Sequence, residues 1–518
     1  MRRGALTLAR AGLLAGPGVL AFFSGGFFDG ARLVAAIAAW VLLGIAAVAV
    51  PGSPLPRGGA PRLAVGGLAG LAAWTWLSRD WAPRLGPAED AAQLALLYLP
   101  VLAVAAIAFR PRAAARVVEP ALALGTLVVV GYGLAGRLLP GIVHLQASLR
   151  AGGRLEQPLT YWNAMGALAA LGVVLCARLA GDATRSRALR VGAAAAAGPL
   201  GMGAYLSFSR GALACLVAGV AALVLLAPTW RQLHAALVAL EVAAVGAIVA
   251  APFDGVRALA PSPSAGQGAI VLVLLLGAMG AAALVHRAVC RAEARGALRA
   301  GPLPLGGRRR MPAIAVVVVI AAAPYALALA SGGDGSSGAF GASSSRLSDV
   351  GSHRSAYWRV AVQTWADHPL AGAGAGSFGT EWLARRHIDE RVEDAHSLYL
   401  QTPAELGLVG LALLLALLGG VVAAARAAVR ADRVLAAGPA AALFAWALHA
   451  GLDWDWEMPA LTLVAVVLAG VLLGGREPAT ADGARDLGDE PALEGDAESR
   501  RDDAEQHELG DRLHLGAR

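Results

Sequence analysis

Apolar runs of about 18–22 residues recur along nearly the whole chain, each long enough to cross a hydrocarbon core of about 30 Å. Each such run must be helical, because an isolated strand would leave its N–H and C=O groups unpaired in lipid. Fourteen can be traced, the first near 11–28 and the last near 459–474; those near 63–77 and 191–207 are short. Composition agrees with lipid as the solvent. Only 15% of the 518 residues are charged, and mean hydropathy is +0.61. A soluble domain of this length needs more charge to cover its surface. The expected fold is therefore all-α, a polytopic transmembrane helical bundle of about 12–14 spans.

The net charge of +7 comes entirely from arginine, without a single lysine. These arginines cluster in short loops between apolar runs, which is the pattern of topology signals and argues against nucleic-acid binding. With the N-terminus inside, the short inner loops and ends hold about 23 arginines and the short outer ones about 8. The densest cluster, Arg287 to Arg310, falls inside. The first run follows Arg2, Arg3 and Arg10 as a signal peptide would. It lacks an A-x-A cleavage site and is followed at once by another span, so it reads as the first transmembrane helix. Cys176, Cys215 and Cys290 show no CxxC or metal-type spacing, so neither a disulfide framework nor a metal site is indicated.

Four segments follow. Residues 1–330 form an N-terminal transmembrane bundle, and 331–395 form one large external loop with short interfacial helices. Residues 396–474 form the C-terminal transmembrane helices. The last segment, 475–518, is polar and poor in aromatics and reads as a disordered cytoplasmic tail. The external loop opens on a Gly/Ser-rich stretch with the composition of a flexible linker.

Four polar islands fall on the outer face in this topology. The first is Ser207-Phe208-Ser209-Arg210-Gly211, where an arginine on the outer side runs against the positive-inside trend. Such a residue is either a snorkelling anchor or a ligand-binding cation. The second runs from His353-Arg354 to His368-Pro369. Trp358, Ala361, Val362 and Trp365 recur there at helical spacing, Arg354 lies one turn before Trp358, and Pro369 should end the helix. Gly372–Gly376 follows as GAGAG; without a βαβ unit it is no nucleotide loop, but a tight loop or an anion-binding backbone nest.

The third island, Asp394 to Gln401, opens a span that continues through Glu405, Gly407 and Gly410. His396, Gln401 and Glu405 are polar groups that normally face a cavity rather than lipid, and the two glycines permit close helix approach. The fourth is Asp453-Trp454-Asp455-Trp456-Glu457, whose carboxylates either pair with the arginines or hold a cation.

These segments resemble the O-antigen ligase/polymerase family. SRGAL at 209–213 matches its arginine turn, and RSAYW (354–358) with DHPLAGAGAGSF (367–378) is similar to the end of its large loop. HSLYLQTPAELGLVG at 396–410 fits its H-[N/S/Q]-x9-G-x2-G pattern, and QPLTYWNAMGAL at 157–168 puts Asn163 in its usual place. The resemblance covers roughly 155–225 and 345–460. One departure is the count of about fourteen spans where about twelve is typical of the family.

The resemblance implies an enzyme of the bacterial inner membrane with its active site on the external face. It would move a glycan from undecaprenyl diphosphate to a hydroxyl on a glycan, lipid or protein acceptor, without cofactor or metal. His396 would be the catalytic base, and Arg210 and Arg354 would bind the diphosphate. Asn163, Tyr399, Gln401, Asp453 and Asp455 would give support. An O-antigen or exopolysaccharide polymerase and a protein O-glycosyltransferase share the same motifs. A membrane transporter is the alternative from another class, although transporters place charged sites near mid-bilayer.

The arginine asymmetry makes the topology testable. A cysteine placed at Ser337 should react with a membrane-impermeant thiol reagent added to intact cells. Labelling only after permeabilisation would invert the orientation.

Overall fold

The computed structural model describes residues 2–50, 53, 57–260, 262–305, 310–330, 341–343, 347 and 351–475. The tail and most of the Gly/Ser-rich stretch lie outside these. Among the described residues the chain is helical, with no strand.

Its longer helices are α1 (Arg2–Ala21), α2 (Asp29–Ala49), α3 (Gly59–Leu77), α4 (Leu85–Ala108), α5 (Val118–Leu138), α6 (Trp162–Gly181), α7 (Arg187–Leu206) and α8 (Arg210–Leu226). There follow α9 (Trp230–Ala250), α10 (Ala265–Ala294), α11 (Arg310–Ala330), α12 (Arg354–Asp367), α13 (Phe378–Arg385), α14 (Leu398–Ala431), α15 (Arg433–Ala450) and α16 (Pro459–Leu473). Apart from α12 and α13, each coincides with one apolar run of the sequence.

Ten of these helices are long and apolar enough to cross a membrane, and α8 and α16 are apolar but shorter. The remaining two, α3 and α7, are the two runs that read as short. Glycines dilute α3, and Arg187 and Arg190 dilute α7. The chain is a multi-pass membrane helical bundle. The first span lies nearer the N-terminus than its apolar run, because Arg10 need not be excluded: its Nε donates to the Ala108 carbonyl at 2.8 Å.

Helix α6 is the axis of the bundle. It packs against α5, α7, α8, α9 and α15, and everything from Asn163 to Gly181 is buried. By contrast, Val273, Leu276 and Leu284 on α10 and Val316, Val318 and Val319 on α11 are exposed, as residues facing lipid would be. At the end of α6 away from Asn163, buried charges are paired: Arg185 with Glu119 and Asp182, and Arg190 with Glu293.

Between α11 and α14, helices α12 and α13 make a small core of their own. Tyr357 and Trp358 of α12 and Phe378 and Trp382 of α13 are buried with Val392, Ala395 and Leu452. The buried face of α12 is rotated from the one read in the sequence. Trp358 and Ala361 are inside, whereas Val362 is exposed and Tyr357 takes the inner place. The cause is α13, which offers α12 a second side to pack against: Tyr357 meets Trp382 edge-on at 5.0 Å. As expected, α12 ends just before Pro369.

The GAGAG loop is a nest whose anion belongs to the chain. The N–H groups of Gly376 and Phe378 donate to the Glu405 carboxylate at 3.0 and 3.2 Å, and that of Gly374 to its backbone carbonyl. To receive the loop, α14 breaks at Gly407, at φ 64° and ψ −162°. This corrects the reading of Gly407 and Gly410 as helix-approach residues. A Cβ at Gly407 would lie 2.2 Å from the Leu370 carbonyl oxygen, and the space beside Gly410 holds Leu406 of its own helix. Close helix approach occurs instead where Gly67 of α3 faces Leu417 and Gly420 of α14 faces Ala64.

Gly407→Ala should therefore destabilise the protein by at least the cost of a forced backbone conformation, on the order of 1–3 kcal/mol. Thermal unfolding in lipid nanodiscs measures it. A melting temperature equal to wild type would mean that the break in α14 is not what seats the loop.

Candidate active site

Of the five non-glycine residues with positive φ among those described, Phe208 (51°) and His396 (53°) stand in the polar islands and Thr160 (65°) in the 157–168 segment. Such backbone is strained and persists only where its surroundings hold it, often at working sites. Each precedes a helix whose first turn carries a polar group: Asn163 on α6, Arg210 on α8, and the Ser397 start of α14.

The groups converge on Asp453, which is 1% exposed. Arg354 Nη2 donates to its Oδ2 at 2.9 Å, and Arg354 Nε donates to the Leu452 carbonyl at 2.5 Å. Asn163 Nδ2 donates to Oδ2 at 2.6 Å and the Tyr161 hydroxyl to Oδ1 at 2.6 Å, while Nδ2 also reaches the Tyr161 oxygen at 2.8 Å. Burial alone would raise the pKa of Asp453. The charges of Arg354, His396 and His449 and the Tyr161 hydroxyl outweigh it, so the carboxyl titrates below its ordinary value. Asp453 is held ionised.

Arg210 belongs to the same surroundings. Its Nη2 donates to the Gly351 carbonyl at 2.9 Å, three residues before Arg354. Arg210 is thus tied to the stretch that carries Arg354, although the two are more than 140 positions apart in sequence. His396 stands on the other side of α12, its ring 5.2 Å from that of Tyr357. Its Nδ1 lies 3.0 Å from the Asp394 carbonyl oxygen. A carbonyl can only accept, so Nδ1 carries a proton and Nε2 is the nitrogen from which the ring can act as a base.

Asp455 has a different partner. His449 Nδ1 lies 2.7 Å from Asp455 Oδ2, and both side chains are buried. The other oxygen, Oδ1, is buried with no hydrogen-bond partner, and burial pushes the pKa of Asp455 up. His449 faces the start of α8, since a Cβ at Gly211 would come within 3.5 Å of its Nε2.

Of the residues named from sequence, Arg210, Arg354, Asn163 and Asp453 come together, with His396 near enough to act on Asp453. Three do not join them: Asp455, which pairs with His449, Tyr399 and Gln401. The Tyr399 hydroxyl donates to the Ala447 carbonyl at 2.6 Å and ties α14 to α15. Gln401 turns to Asp394, Glu405 and Glu457. No group of three or more His, Cys, Asp and Glu among the described residues is arranged to hold a metal ion. Two residues escaped the sequence reading, Tyr161 and His449. The signal for His449 was present, because an ionisable group inside an apolar span is a functional candidate by default. Tyr161 gave none beyond its place two residues before Asn163.

Residues 263–415 match the O-antigen ligase family model. Over that stretch the chain is similar to O-antigen ligases. The matched stretch takes in α10, α11, the loop helices with Arg354, and His396 with the first half of α14. Arg210, Asn163 and Asp453 lie outside it and join it through the contacts above. No curated protein matches the chain. The family match supports a membrane glycosyltransferase-type enzyme that handles glycan and lipid-linked substrates in general.

Removing the charge of Asp453 should be costly, because it leaves Arg354 without its countercharge and takes one of the two oxygens that serve Arg354 and three further donors. Asp453→Asn is expected to destabilise by on the order of 3 kcal/mol, and Tyr161→Phe by about 1 kcal/mol. A group with a lowered folded pKa gives stability above its unfolded value and loses it as pH falls through the folded one. The gap between wild type and Asp453→Asn should therefore be full at pH 7, persist to about pH 4, and close only below that. Thermal unfolding over a pH series tests it; a gap that closes between pH 7 and 5 would show that Asp453 is not held ionised.

Proposed function

We propose that the protein transfers a glycan from undecaprenyl diphosphate to an acceptor hydroxyl at the outer face of the bacterial inner membrane. The observation that carries this reading is the tie of Arg210, through the Gly351 carbonyl, to the stretch that carries Arg354, with Arg354 seated on Leu452 and Asp453 and His396 Nδ1 turned to the Asp394 carbonyl. Residues 331–395 are then the external loop, and 1–330 and 396–474 the two membrane parts that it joins.

In the reaction, the acceptor oxygen attacks the anomeric carbon of the donor sugar and forms the new C–O bond. The bond from that carbon to the diphosphate oxygen breaks, and undecaprenyl diphosphate leaves with the electron pair. The acceptor proton passes to His396 Nε2. A base so placed contributes about 10²–10⁴-fold. The leaving group gains negative charge as it departs, and Arg210 and Arg354 meet it with guanidinium groups that have no proton to lose. Leu452 and Asp453 take two of the five N–H groups of Arg354 and leave the others for the ligand. Asp453 is a positioning residue, since it fixes the plane of that guanidinium.

Purified His396→Ala protein should fold and insert, yet transfer a defined undecaprenyl-diphosphate glycan about 10²–10⁴ times more slowly. Near wild-type transfer would remove His396 from the mechanism. Arg210→Lys and Arg354→Lys should also be impaired, because an ammonium keeps the charge and loses the two-pronged geometry. Full activity in both would make the arginines interfacial anchors, a role lysine fills equally well.

A further inference from the structure

Across the Asp453–Glu457 turn from the arginines lies a cavity of about 320 Å³ between α2, α4 and α14. That volume is in the range of small-molecule sites. Its two cations are already engaged. Buried Arg32 donates to Gln93, to the Phe27 carbonyl and to Asp29 and Asp90, and Arg84 reaches Glu393 at 3.4 Å. Asp394 and Glu457, with Glu405 that the GAGAG loop also holds, are gathered 3.4–3.5 Å from the Gln401 amide nitrogen. Burial raises the pKa of both Asp394 and Glu457, which favours their neutral forms. Phe27, Phe28 and Trp456 supply aromatic wall.

A diphosphate would meet carboxyl groups here and no uncommitted cation. A neutral sugar fits, since carboxyl and amide groups bond its hydroxyls and aromatic rings cover its C–H faces. Two of these helices, α2 and α4, carry an apolar groove of about 480 Å³, lined by Leu33, Ile37, Trp40, Val41 and Leu96. Four of these, all but Leu96, are more than two-fifths exposed. Gln93 lines the groove and accepts from Arg32 of the cavity at 3.0 Å, so the two spaces adjoin. The α2–α4 seam thus offers a polar, sugar-sized chamber that leads to an apolar channel on the lipid side.

The geometry points to this seam as the acceptor site: the neutral sugar of a membrane-anchored glycolipid occupies the chamber and its apolar chain lies in the groove. The assignment rests on the transferase reading for the word acceptor, and on the seam alone for the ligand. The probe is dodecyl maltoside carrying a photoreactive diazirine in its alkyl chain, applied to the full chain in lipid nanodiscs. Label should appear on α2 and α4 and be displaced by excess dodecyl maltoside. It should fall roughly tenfold in Ala91→Trp, which fills the chamber, and in Ile37→Trp, which fills the groove from its exposed side and leaves the interior untouched. Undecaprenyl phosphate should not displace it. Label on other helices, label indifferent to both variants, or label displaced by undecaprenyl phosphate would each overturn the assignment. Because labelling needs no turnover, it stands or falls independently of whether the wild-type protein transfers a glycan.

Discussion

A single buried carboxylate holds the candidate site together. Asp453 sits in a place where an unpaired charge would cost several kcal/mol, and three side-chain donors from distant parts of the chain, Arg354, Asn163 and Tyr161, relieve that cost together with the adjacent Trp454 N–H. Because it must be satisfied, Asp453 binds the start of α6, the start of α12 and the α15–α16 turn to one point. The segment between α11 and α14 is anchored a second time by the Glu405 carboxylate in the GAGAG nest, at the break in α14. Between these two anchors the aromatic core of Tyr357, Trp358, Phe378 and Trp382 fixes α12 and α13, and with them His396.

The two sides of the Asp453–Glu457 turn differ in charge. On one side stand Arg354, bonded to a carboxylate held ionised, and Arg210, tied to the chain three residues before it. On the other, carboxyl groups outnumber cations and burial shifts Asp394 and Glu457 toward their neutral forms. A transferase for lipid-linked glycans needs both kinds of place: one for a leaving diphosphate, and one for a sugar whose hydroxyls must be aligned without competing for that charge. The turn stands between them, α14 borders each, and Asp394 joins them, lining the chamber while its carbonyl meets His396 Nδ1.

Hydropathy made the bundle legible, because lipid forces every apolar run into a helix and leaves the sequence little choice. The polar islands were legible for the same reason: charge is rare in such a chain, so Arg210, Arg354, His396 and Asp453 stood out. Contacts that depend on tertiary register did not show. The rotation of α12 that buries Tyr357 and exposes Val362 is set by α13, whose packing no local period reveals. The occupant of the nest was a residue 29 positions beyond Gly376. His449 hid within an apolar span until its partner Asp455 was placed beside it, and Gly407 read as a packing residue because its φ cannot be seen in sequence.

The most direct test is an experimental structure of the full chain in lipid nanodiscs with undecaprenyl diphosphate bound. The diphosphate should lie against Arg210 and Arg354, with His396 on the side from which a sugar hydroxyl would approach. Diphosphate density beside Arg32 and Arg84 in the α2–α4 chamber, with Arg210 and Arg354 unchanged, would contradict that placement.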